Sequence, residues 1–379
     1  MAYKLLYDIT LQTLAVHKAG LYRVADRLLH CFSTNKDIEL YPFIGTAKGN
    51  PEAYLKETGL PELVSRLVSV PEAKYTAKTG IKSVYFKLLC NIKYRKSFQN
   101  FECFFSPFLP VPTIFHRSGI TTAIMVHDLI PIFRPEFSNP RFIREYTGWM
   151  KGIREDFVFC NSNSTRNDFL KFRKDYAPEK VITTFLGVDD TFVPQASNAD
   201  KKAGKYILGC SAASKRKNFS HLVDAFRMFI RKEHLDDVDL IIVGSPAENI
   251  KYELSGIENR VRFTGHIGDS ELINLYGNAL AFVYPSLYEG FGLPVLEAMK
   301  CGAPVICGNN SSLPEVGGEA ALYISGSDAA ETAAKLSLIY HNSDIRQEMQ
   351  QKGFARVQNF SWKKCSNEII REIINEDSH

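Results

Sequence analysis

Tyr284-Pro285-Ser286-Leu287-Tyr288-Glu289-Gly290-Phe291-Gly292-Leu293-Pro294-Val295-Leu296-Glu297-Ala298-Met299-Lys300-Cys301-Gly302 is the most informative stretch of this chain. A β-rich run over 281–284 stops at a turn, Gly290 and Gly292 remove two Cβ atoms, and a helical pattern opens with Pro294 near its first position. Bare glycine backbone ahead of a helix N-terminus attracts anions, because free N–H groups and the helix dipole both favour phosphate oxygens. Two carboxylates eight positions apart bracket it. Glu289, on the strand-end loop, is placed to accept hydrogen bonds from ligand hydroxyls. Glu297, read on the first helical turn, suits a vicinal diol. A pyrophosphate between two polyols, a sugar and a ribose, would satisfy both. On spacing alone, a glycine turn followed by a helix-capping acid fits equally well.

Working outward, short apolar runs alternate with helical patterns in both halves. Residues 4–9, 122–126, 157–160 and 181–185 read as buried strands, with helices predicted over 22–32, 141–155 and 164–174. In the second half, 206–209, 240–243, 261–263, 281–284 and 305–307 read as strands, separated by helices over 218–232, 270–277, 293–299 and 329–341. Alternation of this kind predicts an α/β chain of two doubly wound domains, each a parallel sheet covered by helices. The stretch 189–204, with Pro194, Gln195, Ser197, Asn198, Lys201 and Lys202, is polar and aperiodic and is read as the linker. At about 150 residues per domain, 379 residues allow two.

Composition removes several classes. Apolar residues make up 45% and charged residues 23%, which excludes disordered and fibrous chains. No apolar run approaches the roughly 18–20 residues that span a bilayer, and the start is too short in apolar residues for a signal peptide. The cysteines at 31, 90, 103, 160, 210, 301, 307 and 365 form no CxxC pair, so the expectation is a reduced, cytoplasmic protein. The net charge of +4 divides unevenly, +7 over residues 1–190 and −3 over the remainder. Much of the excess lies between Lys74 and Lys96, where Lys74, Lys78, Lys82, Lys87, Lys93, Arg95 and Lys96 occur without an acid. Ile81, Val84, Tyr85, Leu88 and Ile92 recur there at helical spacing, as in a cationic amphipathic helix. Such a segment either packs its apolar side on a core or makes peripheral contact with an anionic membrane. Nucleic acid is not an expected partner, since no helix-turn-helix or zinc signature accompanies the charge.

The Glu289 to Glu297 stretch resembles the E-x7-E motif of retaining GT-B glycosyltransferases of family 4, the group 1 glycosyltransferases of polysaccharide biosynthesis. Further motifs follow in that family's order. Val126-His127-Asp128-Leu129 is similar to its HD motif and Asn161-Ser162-Asn163-Ser164 to its serine motif. Ser214-Lys215-Arg216-Lys217-Asn218 resembles its diphosphate motif, and Phe263-Thr264-Gly265-His266-Ile267 its base loop. Asn310-Ser311-Ser312-Leu313-Pro314-Glu315-Val316 and Phe360-Ser361-Trp362 complete the series, with weaker similarity at Gly20-Leu21-Tyr22-Arg23. The resemblance implies two Rossmann-like domains facing a cleft. Residues 1–188 would form the acceptor-side domain and 205–359 the nucleotide-sugar domain, with the last residues, 360–379, a helix returning to the first.

It also implies roles. His127 and Glu289 would be the catalytic pair, His127 contacting the reacting sugar and Glu289 orienting it. Lys217, with Arg216, would balance the departing diphosphate. Gly290, Phe291, Gly292 and Leu293 would offer backbone to the donor, with Gly20 opposite. Glu297 would hold the ribose, and His266 and Ile267 the base. Ser211 stands where many such sequences carry arginine, leaving Arg216 as the candidate second cation. The implied partners are a UDP-sugar or GDP-sugar donor and a glycan or lipid-linked acceptor, with no metal and no other cofactor. UDP-glucose leads among donors and GDP-mannose is the alternative. A catalytically silent sugar-nucleotide binder, or an epimerase or phosphorylase on the same scaffold, are the competing functions.

Other features point elsewhere only weakly. No Walker loop and no G-x-G-x-x-G after a strand is present. Asp237-Val238-Asp239 imitates a metal-binding DxD but reads as a solvated turn before a strand, and the histidines lack ligand spacing. Trp149 and Trp362 read as packing residues.

Overall fold

Phe157-Val158-Phe159-Cys160 shows how the chain builds its sheets: all four side chains are buried, as in a strand covered on both faces. Phe157 and Phe159 enter one apolar cluster and Val158 and Cys160 another, because successive side chains point to opposite faces. The structure is a computed structural model that describes residues 2–14, 20–45, 49–69, 95–194, 205–210, 214–246 and 253–376.

In the first half the strands are β1 (Tyr3–Asp8), β2 (Ile38–Ile44), β3 (Val68–Ser69), β4 (Cys103–Ser106), β5 (Thr121–Val126), β6 (Phe157–Cys160) and β7 (Val181–Thr183). They form one parallel sheet in the order β3-β2-β1-β4-β5-β6-β7. The helices are α1 (Thr10–Leu14), α2 (Leu21–Ser33), α3 (Pro51–Glu57), α4 (Ile130–Phe133), α5 (Pro140–Gly152) and α6 (Asn163–Phe172). Helix α5 begins at Pro140 because Asn139 caps it, its side chain accepting from Phe142 N at 2.8 Å.

The second sheet runs β10-β9-β8-β11-β12-β13, also parallel. Its strands are β8 (Lys205–Cys210), β9 (Val238–Val243), β10 (Val261–Phe263), β11 (Ala281–Tyr284), β12 (Val305–Gly308) and β13 (Ala321–Ile324). Helices α7 (Phe219–Lys232), α8 (Asp269–Asn278), α9 (Leu293–Lys300), α10 (Leu313–Gly317), α11 (Ala329–His341), α12 (Ser343–Val357) and α13 (Trp362–Glu376) complete it. The chain is therefore α/β with two doubly wound parallel sheets. In each, the order reverses once, between β1 and β4 and between β8 and β11. Crevices beyond the carboxyl ends of strands at such reversals are where open α/β sheets bind ligands.

Strands β2, β3, β4 and β13 were not read from sequence. Pro42 lies inside β2, where it is paired with Tyr7 of β1, although proline usually argues against an inner strand. Of the polar linker stretch, residues 195–204 lie outside the described residues, as does most of the basic stretch, 74–94. Among the described residues no helix is long and apolar enough to cross a membrane.

Helix α13 follows the second sheet in sequence yet packs on α2 beside the first. Asp189 fixes this crossing. Its carboxylate pairs with Arg27 of α2 at 2.7 Å and accepts from Trp362 Nε1 at 2.8 Å, while Lys300 Nζ donates to its carbonyl at 2.9 Å. The backbone of Gly187 passes so close to α13 that a Cβ there would lie 2.1 Å from Trp362 N. Gly187→Ala must push the two segments apart and should cost about 1–3 kcal/mol of stability, measurable by urea denaturation of the purified protein.

Candidate active site

The loop after β5 and the loop after β11 meet. His127 directly follows β5, and the Glu289–Gly292 loop lies against it so closely that a Cβ on Gly290 would fall 2.0 Å from the His127 carbonyl oxygen. Only glycine fits that approach. Gly292, at φ +113°, ends the loop as N-cap of α9, and no side chain caps it. Pro294 sits in the first two positions of the helix, as the sequence implies.

Four side chains of the expected site, His127, Glu289, Glu297 and Lys217, are between 5 and 9% exposed. Burial of charge demands partners, and each has them. Glu289 Oε1 lies 2.7 Å from Lys217 Nζ and 2.8 Å from Arg216 Nη1, and it accepts from Ser286 Oγ at 2.6 Å. Lys217 also bonds the Tyr284 hydroxyl, and Arg216 bonds the Tyr288 carbonyl. Arg216 therefore does point inward, beside Lys217. Burial alone would raise the Glu289 carboxyl, but Lys217 and Arg216 outweigh it and hold it down at about 2. Burial pushes the Lys217 ammonium down against the pull of Glu289.

Glu297 falls in the second turn of α9, not the first, because the helix starts at Leu293. Its Oε1 accepts from Arg23 Nη1 at 2.9 Å and its Oε2 lies 3.4 Å from the Tyr276 hydroxyl. Arg23 also pairs with Asp269 at 2.8 Å. Burial raises the Glu297 carboxyl and Arg23 only partly offsets it, with Asp269 and Asp189 adding to the rise, so it stands at about 7. The two carboxylates of one motif thus titrate far apart.

His127 Nε2 lies 2.7 Å from the Pro107 carbonyl oxygen, beyond β4. A carbonyl only accepts, so Nε2 carries the hydrogen. Burial lowers the ring to about 4 despite that bond, which leaves it neutral at pH 7 with Nδ1 free of a proton. Asp128, its neighbour, accepts from the backbone N–H of Ile130, the first residue of the short α4, at 2.9 Å; burial pushes its carboxyl up.

The remaining expected residues are spread around this centre. Phe291 is buried, its ring 6.0 Å from Phe360, and Leu293 packs on the same cluster. Gly20 is the N-cap of α2, at φ +59°. His266 is exposed in the turn after β10, and Ile267 beside it packs on the large cluster. Ser211 lies outside the described residues. Sequence reading assigned no role to Arg23, Tyr276 or Ser286. The signal for Arg23 was present in the weak Gly20-Leu21-Tyr22-Arg23 similarity, but its partner is 274 positions away. Asp237 and Asp239 pair instead with Lys205 at 3.1 Å and Arg260 at 3.0 Å. Among the described residues no three His, Cys, Asp or Glu side chains are grouped to hold a metal ion.

Glu289→Gln leaves two buried cations without their counter-charge and should cost about 3–5 kcal/mol. A carboxylate held below its unfolded value stabilises the fold above that value and loses its contribution as pH falls toward the folded one. The wild type should therefore lose stability between about pH 4.5 and 2 in excess of Glu289→Gln, read from urea midpoints across that range.

Comparison with known proteins bears on the family and on the fold. Residues 192–356 match the family model for glycosyl transferases group 1. The chain is 30% identical over 226 residues to the O-antigen chain mannosyltransferase B of Escherichia coli, covering 56% of this chain and 59% of that one. It is 32% identical over 221 residues to the MMP alpha-(1->4)-mannosyltransferase of Mycolicibacterium hassiacum, covering 55% and 51%. The chain thus spans little more than half the length of these two relatives, and 33% of the serotype-specific mannosyltransferase WbdA of Escherichia coli. Among solved structures, Anabaena HepE in complex with UDP superposes with a TM-score of 0.74 at 17% identity, covering 98% of this chain and 100% of that one. WaaG, a glycosyltransferase involved in lipopolysaccharide biosynthesis, gives 0.67 at 14%, covering 97% and 99%. The chain has the GT-B fold of these structures, and the part of it that resembles the group 1 glycosyl transferases is residues 192–356.

Proposed function

We propose that the protein is a retaining hexosyltransferase of polysaccharide biosynthesis. It moves a hexose from a nucleoside diphosphate sugar to a hydroxyl of a glycan or lipid-linked oligosaccharide. The observation that carries this reading is the pairing of Arg216 and Lys217 on Glu289, beside the uncapped N-terminus of α9 at the order reversal of the second sheet. Two cations against one carboxylate leave net positive charge where a diphosphate would depart. Preorganised charge of this kind is usually the largest catalytic contribution, and one lost donor costs about 10²–10³ in rate.

In this reading the bond from the anomeric carbon to the phosphate oxygen breaks, and the acceptor oxygen bonds to that carbon on the same face. A phosphate oxygen takes the acceptor proton, and the nucleoside diphosphate leaves. His127 offers Nδ1 to a hydroxyl of the donor sugar, and Glu289 orients that sugar through the network it shares with the cations. Glu297 accepts from the ribose, and the backbone at His266 and Ile267 flanks the base. Arg216 and Lys217 perform without a metal ion the charge balance that a cation supplies elsewhere.

The names of the relatives at 28–32% identity favour a mannosyl donor, and GDP-mannose is the first candidate. UDP-glucose is the second, since HepE, of the same fold, holds it. The basic stretch from Lys74 to Lys96 would hold the enzyme against anionic lipid near a lipid-linked acceptor.

A thermal-shift panel of GDP- and UDP-sugars should show stabilisation by one nucleotide class, with GDP-mannose foremost. No shift with any of them would remove the donor reading. Turnover should survive EDTA; loss on chelation, restored by Mn²⁺ or Mg²⁺, would overturn the metal-free mechanism. Glu297 accepts fully only when ionised, and burial raises its carboxyl to about 7. Calorimetry should therefore find nucleotide affinity falling as pH drops from 8 to 6, a slope that Glu297→Gln abolishes.

A further inference from the structure

The first turn of α6 makes a set of interdomain bonds that the chemistry above does not use. Ser162 caps the helix, its Oγ accepting from Thr165 N at 3.0 Å. The next two amides, Asn163 N and Ser164 N, donate across the domain boundary to the Glu315 carboxylate at 2.9 and 2.8 Å. A carboxylate is well suited to that position, because the free amides and the helix dipole both favour it. Glu315 stands on α10, steadied by Arg356 Nε donating to the Val316 carbonyl at 3.0 Å.

The first turn of α6 and the two serines just ahead of α10 grip the Glu289–Gly292 loop from both sides. From the second domain, Ser311 Oγ accepts from Glu289 N at 2.8 Å, and Ser312 Oγ donates to the Phe291 carbonyl at 2.7 Å. From the first, Ser162 Oγ donates to the Gly290 carbonyl at 2.6 Å. Thr165 Oγ1 lies 3.2 Å from the carbonyl oxygens of both Gly290 and His127. One hydroxyl thus touches the backbone of both halves of the site. Ser162 and Thr165 are buried, so their hydroxyls have these carbonyls as partners in place of water.

We propose that Glu315, Ser162 and Thr165 are positioning residues, an interdomain clamp that sets the loop bearing Glu289 in register with His127. The inference rests on the transferase reading, and it separates two properties of that site. Arg216, Lys217, Glu297 and the α9 N-terminus all belong to the second domain, so losing the bonds from α6 to the Gly290 carbonyl leaves the nucleotide's own contacts in place. Turnover requires the clamp, because a shift of about 1 Å between reacting groups costs on the order of 10²-fold in rate.

The test compares Glu315→Ala, Thr165→Val and Thr165→Ser in the full chain. It uses hexose transfer from GDP-mannose and UDP-glucose, calorimetric binding of GDP and UDP, and small-angle scattering. Glu315→Ala and Thr165→Val should lower kcat by about tenfold or more while the nucleotide Kd stays at the parent value. Glu315→Ala should also expand the particle. Thr165→Ser, which keeps the hydroxyl, should restore kcat. Should Glu315→Ala fail to fold, Glu315→Gln, which keeps one acceptor oxygen, and the Thr165 pair still carry the test. Parent kcat in Glu315→Ala and Thr165→Val, or an equal loss of kcat and nucleotide affinity, would overturn the clamp. If His127→Ala and Glu289→Gln also turn over normally, the site reading fails with it. If those two are inactive, the clamp alone fails.

Discussion

The contact between the Gly290 backbone and the His127 carbonyl is the constraint on which the rest of the site depends. It brings a loop of the second domain within van der Waals distance of a strand end in the first, and a single methyl group at position 290 would forbid it. The missing Cβ of Gly290 is what lets the two sheets share a site at the carboxyl ends of β5 and β11. Crevices at the order reversals of such sheets are common ligand sites, and β11 flanks the reversal of the second sheet.

Electrostatics then divides the labour between two carboxylates of one motif. Glu289 and Glu297 are equally buried, so desolvation pushes both upward. Glu289 meets two cations, which hold it at about 2, whereas Glu297 meets Arg23 with Asp269 and Asp189 nearby and stands at about 7. Environments that drive paired groups apart mark distinct roles. One is a permanent counter-ion, and the other changes charge near neutrality. Eight positions of sequence separate them, but their partners come from α2, from the loop after β8 and from α8.

Much of the architecture was legible. Strands such as 157–160, 261–263 and 281–284 and the helix over 329–341 coincide with β6, β10, β11 and α11, because each carries its signal within a few residues, β-branched and aromatic side chains in the strands and an Asp328 cap before the helix. The misses have local causes. Strand β2 contains Pro42 and Glu39, β3 has two residues, and β13 is only half-buried, so none shows a clear period. They are strands because β1 or β12 lies beside them to complete their hydrogen bonds.

The sequence by itself determined the alternation of strand and helix, the glycine turn before α9, and the identity and order of the charged residues near it. Those are local properties, set by side-chain period, missing Cβ atoms and cap chemistry within a few residues. Only the tertiary structure decided which charge meets which. Arg216 turned inward to Glu289, Glu297 was given to Arg23, and Asp237 and Asp239 were spent on Lys205 and Arg260. A buried charge takes whatever opposite charge the fold brings within a few ångströms, and distances across two packed domains are not written in the spacing of either partner.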